Sequence, residues 1–393
     1  MRHSYSWLFL IAAACSQQTS SETEAYRVRH HRPSPHHALD ASAPDAAEAD
    51  AEADAATEPD AGAPVDAAID TGSETPDASN PVEAGSSFIP SGWLYTQGNK
   101  VYVSNGTSGS VWVGRGVNAD DLYFCGYNGS LWMNNPGSTV QTLLGGLVST
   151  WKPSFVRVSL GMNSYTPASW TTNPAAYKTP MTSVVQTLGE TPGVYVLVTL
   201  RSDATMTNYG SDDATYLPTT ATDAVYTALV DTFATDPYVL FGISNEPGGN
   251  ALSDSAIRSA MDHAVGVIRA EENKLGVPHH IVSVQGNDWT SDISFYGTSP
   301  LSWDNVVYEV HGYPPATASY TYSNIPVIVG EYGNLPNAGA FFADIESKQI
   351  PSLAWDFDSF SDCSPDLLTI NQSATSLLPS AWGATVQAYL LAH

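Results

Sequence analysis

The chain has 393 residues, of which 40 are acidic and 14 basic, and its formal net charge is −26. This balance argues against nucleic acid and anionic lipid as partners, because both carry negative charge themselves. The charge is unevenly distributed along the sequence. We predict a signal peptide over 1–15, a disordered linker over 16–87 and one folded domain over 88–393.

The first fifteen residues have the pattern of a secretory signal peptide. A basic start precedes the short apolar run 7–11, and three alanines and Cys15 follow it. The run is too short to span a bilayer as a helix of the mature protein. A cysteine directly after small residues resembles a bacterial lipoprotein signal, in which Cys15 would be lipidated, although Ala12 replaces the usual leucine. Secretion without lipidation is the alternative. No aspartate follows at the inner-membrane retention position, which favours the outer membrane or cell surface.

The segment 16–87 has the composition of a disordered linker. Between Asp40 and Glu83 it carries thirteen acidic residues, many Ala and Pro residues, and no Lys or Arg. Low hydrophobicity with charge of one sign cannot bury enough apolar surface to offset the loss of chain entropy. We therefore expect a tether that holds a domain away from a surface. The acidic residues lack the fixed spacing of calcium-binding loops.

The remaining segment, 88–393, is long enough for one large domain, and its 25 acidic and 10 basic residues give it a net charge of −15. A hairpin is predicted first, from Lys100 to Val103 and from Ser110 to Gly116 around an Asn-Gly turn. Beyond it, apolar strand-like runs alternate with helical stretches, the pattern of a parallel sheet with crossover helices.

Eight strands and five helices are predicted in this domain. The strands are 111–117, 155–160, 194–200, 239–244, 280–285, 306–310, 327–330 and 353–355. The helices are 176–188, 222–234, 253–275, 338–348 and 381–391. Eight strand–helix units in about 280 residues predict a TIM (β/α)8 barrel. An open doubly wound sheet is the alternative, but no Gly-rich phosphate loop follows the first strand.

A glutamate comes directly after, or close after, two of these strands, and in each case its neighbours include Gly, Pro or Asn. Glu246 follows strand 239–244, and Glu331 follows strand 327–330. Barrel enzymes carry their catalytic residues at the carboxyl ends of the strands. Two carboxylates facing each other across that end are the catalytic parts of a glycosidase. The alternatives are a helix cap for Glu246 and a turn residue for Glu331.

Six short motifs, one at each of six strand ends, resemble glycoside hydrolase family 5, the cellulase-like family of retaining barrel glycosidases. They occur in the family's order and span essentially the whole domain. The motifs are Arg115-Gly116-Val117-Asn118, Val156-Arg157-Val158, Ser244-Asn245-Glu246-Pro247, Tyr308-Glu309-Val310-His311-Gly312-Tyr313, Gly330-Glu331-Tyr332-Gly333 and Trp355.

The resemblance implies a role for each matching residue. Glu246 would be the general acid/base and Glu331 the nucleophile. Arg157 and Tyr313 would hold Glu331 ionised and oriented, because positive charge and hydrogen-bond donors favour a carboxylate. Three further residues would contact the reacting sugar: Asn245 at its 2-hydroxyl, His311 in the same pocket, and Trp355 as the floor of the subsite.

One position departs from the family's pattern. Arg201 stands at the end of the third predicted strand, where the family commonly has a histidine that contacts a sugar hydroxyl. An arginine adds a fixed charge and a longer reach. We therefore expect Arg201 either to line the reacting subsite and favour a decorated or acidic sugar, or to point aside and pair with Asp203.

Roles are also predicted for two residues to which the family resemblance assigns none. Trp289, after the fifth predicted strand, is expected to be a stacking platform for a second sugar, with a lid over the core as the alternative. Glu309 shares a strand face with His311, and we expect it to be the buried partner of an arginine, with Arg115 as the candidate. Since no cluster has metal-ligand spacing, we predict neither a metal nor a cofactor.

A disulfide is also predicted. Cys125 follows the first predicted strand and Cys363 the eighth, and those strands are neighbours when a barrel closes. Disulfides persist in exported proteins. We therefore predict a Cys125–Cys363 bridge, with two buried thiols as the alternative.

The sequence thus predicts a secreted, lipid-anchored, monomeric retaining β-glycosidase that acts on a polysaccharide or oligosaccharide, with β-1,4-linked glucan or mannan as the substrate class. A sugar-binding surface lipoprotein that lost turnover is one alternative, but a pure binder has no need of both glutamates. A barrel hydrolase of another bond, such as an ester, is a second, but no Gly-x-Ser-x-Gly elbow supports it.

Overall fold

The computed structural model describes residues 89–119, 136–161, 165–206, 217–247, 252–314, 318–357, 365–369 and 377–393. The predicted signal peptide and linker lie outside this part of the chain. So do Cys15, Cys125 and Cys363, and with them the predicted lipidation and disulfide. None of the helices within the described ranges is both long and apolar enough to cross a membrane.

A small antiparallel sheet comes first. Its strands are β1 (Leu94–Gln97), β2 (Lys100–Ser104) and β3 (Gly109–Val111), paired in that order. The predicted hairpin corresponds to β2 and β3, whereas β1 was not predicted. The side chain of Asn105 accepts hydrogen bonds from the backbone N–H groups of Thr107 and Ser108, which stabilises the turn between the two strands.

Eight parallel strands then form a closed barrel, which confirms the predicted TIM barrel. They pair in chain order, and the last strand pairs with the first to close the ring. The strands are β4 (Arg115–Ala119), β5 (Phe155–Leu160), β6 (Tyr195–Leu200), β7 (Val239–Gly242), β8 (Val282–Gln285), β9 (Val306–Gly312), β10 (Val327–Tyr332) and β11 (Ser352–Ala354). The first barrel strand therefore begins at Arg115, not within β3 as the predicted strand 111–117 required.

Helices follow most of the strands. They are α1 (Pro136–Thr150), α2 (Ser169–Thr172), α3 (Lys178–Gly189), α4 (Asp223–Phe233), α5 (Asp254–Leu275), α6 (Ser294–Thr298), α7 (Ala338–Lys348) and α8 (Ala381–Leu391). The five predicted helices correspond to α3, α4, α5, α7 and α8. The longest, α5, begins where Ser253 caps the backbone N–H of Ala256 and ends at Gly276, whose φ of 68° only glycine adopts without strain.

Alternation along the strands separates two apolar cores. Residues that face outward pack under the helices in a large shell. Residues that face inward fill the end of the barrel where the strands begin, and the small sheet covers that end. There the ring of Trp112 contacts Phe155 and Tyr195, with centroid distances of 5.0 and 5.2 Å. Inward positions nearer the carboxyl ends carry polar side chains instead, and these form the candidate site.

Candidate active site

Glu246 and Glu331 meet at the carboxyl-terminal end of the barrel. Glu331 lies within β10, and Glu246 follows β7 after a connection of three residues. One carboxylate oxygen of each lies within 4.8 Å of the other. The Glu331 side chain is 4% exposed and that of Glu246 is 20% exposed, so Glu246 lies nearer the solvent.

A bulge in β10 directs Glu331 into the barrel. Ile328 belongs to the inner core and Val329 to the outer shell, so strict alternation would point Glu331 outward at the helices. The pairing of β10 with β9 shifts register between Val329 and Glu331. Gly330 is the extra residue, and the insertion reverses the phase of the strand beyond it.

The Glu331 carboxylate is held by two donors. Nη1 of Arg157 donates to Oε1 at 2.8 Å, and the Tyr313 hydroxyl donates to Oε2 at 2.8 Å. Burial raises the pKa of Tyr313 well above its ordinary value, and the charges of Glu331 and Glu246 raise it further. The phenol therefore keeps its proton and acts as a donor to the Glu331 carboxylate.

The same arginine links β4 to the residue before Glu246. Nη1 of Arg157 also donates to Oδ1 of Asn118 at 3.0 Å, and Nη2 donates to Oδ1 of Asn245 at 2.6 Å. Asn118 in turn donates to the carbonyl of Gly330 at 3.0 Å. Because the guanidinium is a rigid planar fork, its three bonds fix the relative positions of the strand ends that carry the two glutamates.

Glu246 adopts an unusual backbone conformation. Its φ of 49° lies in the left-handed region, which is costly for a residue with a side chain. Its backbone N–H donates to Oε1 of Gln285 at 2.5 Å, and that amide oxygen also accepts from Oγ1 of Thr290 at 2.9 Å. The carboxylate pairs with Nδ1 of His311 at 2.9 Å. No role was predicted for Gln285, although its inward position at the end of β8 was a signal.

His311 stands between two carboxylates. Its Nδ1 faces Oε1 of Glu246, and its Nε2 lies 3.0 Å from Oε1 of Glu309. Burial alone would lower the pKa of His311, but the charges of Glu331, Glu246 and Glu309 raise it to about 9. The imidazole is therefore protonated at neutral pH and donates to both neighbours.

Glu309 is the buried partner of an arginine, but the arginine is Arg157 and not Arg115. Its Oε1 lies 3.1 Å from Nε of Arg157. Burial alone would raise the pKa of Glu309, but Arg157 and His311 lower it to about 2. Arg115 faces the other way and pairs with Glu346 on α7, with Nε 2.5 Å from Oε1. The prediction of Arg115 as the partner was wrong because Arg115 lies at an outward position of β4.

Three donor atoms, one each from Glu246, His311 and Glu331, lie close enough together to suit a metal ion. They are already engaged with one another and with Arg157 and Tyr313. A hydrogen-bonded carboxylate pair with cationic neighbours is suited to acid–base and nucleophilic work. We assign no metal to this group, and the prediction of none stays a prediction.

The family model for cellulases (glycosyl hydrolase family 5) matches residues 115–361. The chain belongs to this family. The match begins at β4 and extends beyond β11, so it includes every strand of the barrel.

Two characterised relatives and one solved structure show how far the similarity reaches. A mannan endo-1,4-β-mannosidase of Streptomyces lividans is 26% identical over 65% of this chain and 65% of its own length. One of Cellvibrio japonicus is 26% identical over 77% of this chain and 66% of its own length. The chain thus spans just under two thirds of these relatives. A β-glucanase of Saccharophagus degradans in complex with cellotetraose superposes with a TM-score of 0.59 at 17% identity, covering 78% of this chain and 94% of that one, which shows the shared fold.

Arg201 of this family 5 chain lines the site. Its Nη1 lies 3.8 Å from Oε1 of Glu331, and its guanidinium carbon lies 5.4 Å from the ring centre of Trp355. The structure thus places Arg201 between the predicted nucleophile and the ring of Trp355, which favours the first of the two expectations for Arg201. Asp203 binds elsewhere, and its carboxylate accepts hydrogen bonds from Thr205, Thr219 and Thr222. The effect of Arg201 on the choice of sugar stays a prediction.

Trp289 lies in a tight turn after β8. Asp288, Trp289 and Thr290 all have left-handed φ values, of 51°, 50° and 64°. The turn is anchored at the site, because the backbone N–H of His311 donates to the carbonyl of Thr290 at 3.0 Å. Trp289 is partly exposed at the same end of the barrel as Glu246. Its role as a platform or a lid stays a prediction.

Proposed function

We propose that the chain is a retaining glycoside hydrolase that cleaves a β-linked polysaccharide by double displacement. The observation that carries this proposal is the short separation of Glu246 and Glu331, whose nearest carboxylate oxygens lie within 4.8 Å. Retaining enzymes hold the two carboxyl groups about 5–5.5 Å apart, whereas inverting enzymes need about 6.5–9.5 Å to admit a water molecule between them. The spacing favours direct attack by a carboxylate.

The first step uses the two glutamates differently. Glu331 attacks the anomeric carbon and forms a glycosyl ester, while Glu246 gives its proton to the departing glycosidic oxygen. In the second step Glu246 takes a proton from water, the water oxygen bonds to the anomeric carbon, and the ester bond to Glu331 breaks. Arg157 and Tyr313 receive the carboxylate when it leaves, because both already donate to it.

We propose β-1,4-linked mannan or glucan as the substrate class. Support comes from the two relatives named mannan endo-1,4-β-mannosidases and from the β-glucanase structure that contains cellotetraose. The expected product keeps the β configuration. Incubation with β-mannan, glucomannan, β-glucan and cellotetraose, followed by NMR of the fresh product, tests this. An α product would refute the retaining mechanism, and no product from any β-glycan would refute the substrate class.

The non-catalytic alternative has no support among the described residues. Both carboxylates are present, and each has a donor suited to its role, Arg157 for Glu331 and His311 for Glu246. A protein that only bound sugar would not require two carboxylates at this separation. Binding of oligosaccharide without any turnover by the wild type would restore the alternative.

We further propose, from the sequence alone, that the domain is exported, tethered by 16–87 and lipid-anchored through Cys15. Mass spectrometry of the mature protein should find a lipidated N-terminal Cys15, and the variant C15S should be released from the membrane fraction. The same measurement without reduction tests the Cys125–Cys363 bridge. Two free thiols in the folded protein would exclude that bridge.

A further inference from the structure

One buried carboxylate lies directly behind the two catalytic glutamates. Glu309, on β9, is fully buried. Its Oε1 accepts from Nε2 of His311 at 3.0 Å and lies 3.1 Å from Nε of Arg157, and its Oε2 accepts from the hydroxyl of Ser283 at 2.6 Å. The two cations that it holds are the ones that contact Glu246 and Glu331.

We propose that Glu309 is a positioning residue for hydrolysis, which holds Arg157 beneath the nucleophile and presents Nδ1 of His311 to the acid/base. The proposal rests on the function proposed above. Glu309 does not touch the reacting atoms. It acts through Arg157 on one side and through His311 on the other.

The protonation of His311 follows from its partners. An ionised carboxylate only accepts hydrogen bonds, so the contact with Glu309 requires a proton on Nε2 of His311. Nδ1 then faces Glu246 and donates its own proton to that carboxylate. A neutral residue of the same size in place of Glu309 would favour the charged imidazole less, and a singly protonated ring could carry its proton on either nitrogen. Glu309 therefore selects the form of the imidazole that suits the acid/base.

The surroundings of His311 supply the charges that matter for its titration. Glu246 faces it from the connection after β7, Glu309 from its own strand, and Glu331 from β10, where Oε2 lies 3.6 Å from Nδ1. Arg157 is the nearest cation that shares these carboxylates. Removal of one of the three anions should lower the pKa of His311, because an opposite charge nearby favours the charged form.

A separate observation ties Glu309 to the bulge before the nucleophile. A Cβ added at Gly330 would overlap the Glu309 carboxylate group. The side chain of Glu309 thus fills the space that a side chain at position 330 would need. Gly330 is the residue that turns Glu331 inward, so Glu309 packs against the backbone that sets the direction of the nucleophile.

The barrel provides a matched control. A second buried set of the same three residue types joins α5 to the chain ahead of β8, where Glu272 accepts from Arg269 at 2.5 Å and from Nδ1 of His280 at 2.8 Å. The hydrogen bonds of this set go to one another and to the backbone of Asp304 and Asn305, and none reaches Glu246 or Glu331. We call the first set the mouth cluster and the second the base cluster; they consist of Arg157, Glu309 and His311, and of Arg269, Glu272 and His280.

The test compares Glu309→Gln with Glu272→Gln, since each removes one buried charge and keeps the size. The probe is a chromogenic β-glycoside that the wild type cleaves. For Glu309→Gln we expect kcat at pH 7 to fall about tenfold or more with KM unchanged to within about twofold. Because His311 should lose its proton at lower pH in this variant, the alkaline limb of the pH profile of kcat/KM should move to lower pH by about one unit or more. Glu272→Gln should lower Tm but keep the wild-type kcat and alkaline limb.

Equal pH profiles for folded Glu309→Gln and the wild type would overturn the proposal. If Glu309→Gln does not fold, the wild type decides, because NMR of its histidine side chains reads His311 directly. His311 should keep protons on both ring nitrogens well above pH 7, and titration near its ordinary pKa would overturn the proposal. This readout needs no turnover, so it also separates failure of the proposal from failure of the proposed function.

Discussion

The mouth cluster and the base cluster contain the same three residue types at the same degree of burial, yet their neighbours differ. At the mouth, both ring nitrogens of the histidine are bound to carboxylates, and the arginine reaches one more carboxylate and two asparagines. At the base, the histidine has one carboxylate neighbour, and the arginine donates to the backbone carbonyls of Asp304 and Asn305. The second carboxylate near Arg269, that of Asp304, lies 3.6 Å away and is exposed to solvent.

This difference separates two uses of a buried ion pair. Glu272 binds residues of α5 and of the chain ahead of β8 through its charge. Burial alone would raise the pKa of Glu272, but His280 and Arg269 lower it. Glu309 holds cations whose remaining bonds go to Glu246 and Glu331. Breaking either set leaves an unpaired buried charge, which costs stability. Only at the mouth does the same break alter groups that take part in the proposed chemistry.

The largest effects are expected at the two glutamates themselves. Glu331→Ala removes the atom that bonds to the sugar and should be inactive on every substrate. Azide should restore turnover and give an inverted glycosyl azide. Glu246→Ala loses proton transfer, worth about 10²–10⁴-fold per step, but should still form the glycosyl-enzyme from dinitrophenyl glycosides. Rate measurements with and without azide decide this. The opposite pattern would exchange the two roles.

The arginines of the two clusters give the next contrast. Arg157→Ala removes a donor to Glu331 and should lower kcat/KM by about 10²-fold or more. Arg269→Ala removes the arginine partner of the buried Glu272, which keeps only His280, and should lower the free energy of unfolding by about 3–5 kcal/mol. Urea unfolding and kinetics on the folded fraction measure both. A loss of kcat in Arg269→Ala equal to that in Arg157→Ala would contradict the separation of the clusters.

Stability should depend on pH differently in the two variants. The pKa of His311 is raised from 6.5 to about 9, so its contribution is complete below pH 6.5 and is lost as the pH rises towards 9. The pKa of Glu309 is lowered from 4.5 to about 2, so its contribution is complete above pH 4.5 and is lost as the pH falls towards 2. Urea unfolding between pH 7 and pH 9 should therefore show a decline in the wild type and in Glu272→Gln, and a weaker decline in Glu309→Gln. An equal decline in all three would show that Glu309 does not control His311.

The smallest predicted effect is a change of preference at Arg201. Arg201→His restores the residue type that the family commonly has there, so the ratio of kcat/KM between plain and charged or branched substrates should change several-fold, on the order of 1 kcal/mol. Competition assays with paired substrates measure the ratio. An unchanged ratio and an unchanged rate would place Arg201 outside the subsite, despite its 3.8 Å approach to Glu331.

The sequence predicts the barrel well because its strands are short apolar runs between breakers. It also places Glu246 and Glu331 at strand ends, where the structure brings them together. The partner of Glu309 was missed for a reason that the sequence contains. Asn118 faces inward, so Arg115, three residues before it, must face outward on the same strand.

Other features could not be read from local patterns. Helix α1 was not predicted, since Gly145 and Gly146 lower its helical propensity and only packing in the folded protein outweighs that cost. The bulge at Gly330 reverses an alternation that the sequence shows as continuous. The Glu309 side chain on the neighbouring strand occupies the space that a side chain at position 330 would need, and contacts of that kind arise only when the barrel closes.

The turn that carries Trp289 has a consequence for engineering. Each non-glycine residue in the left-handed region costs roughly 1–2 kcal/mol, and three occur in succession at 288–290. A bridge between Asn287 and Asp292 and the hydrogen bond from His311 hold the turn in place. Selection for heat resistance alone would therefore favour replacement of Trp289 by glycine or asparagine, which adopt this conformation at lower cost. A variant selected in that way would lose the side chain that the sequence predicts to stack on a second sugar.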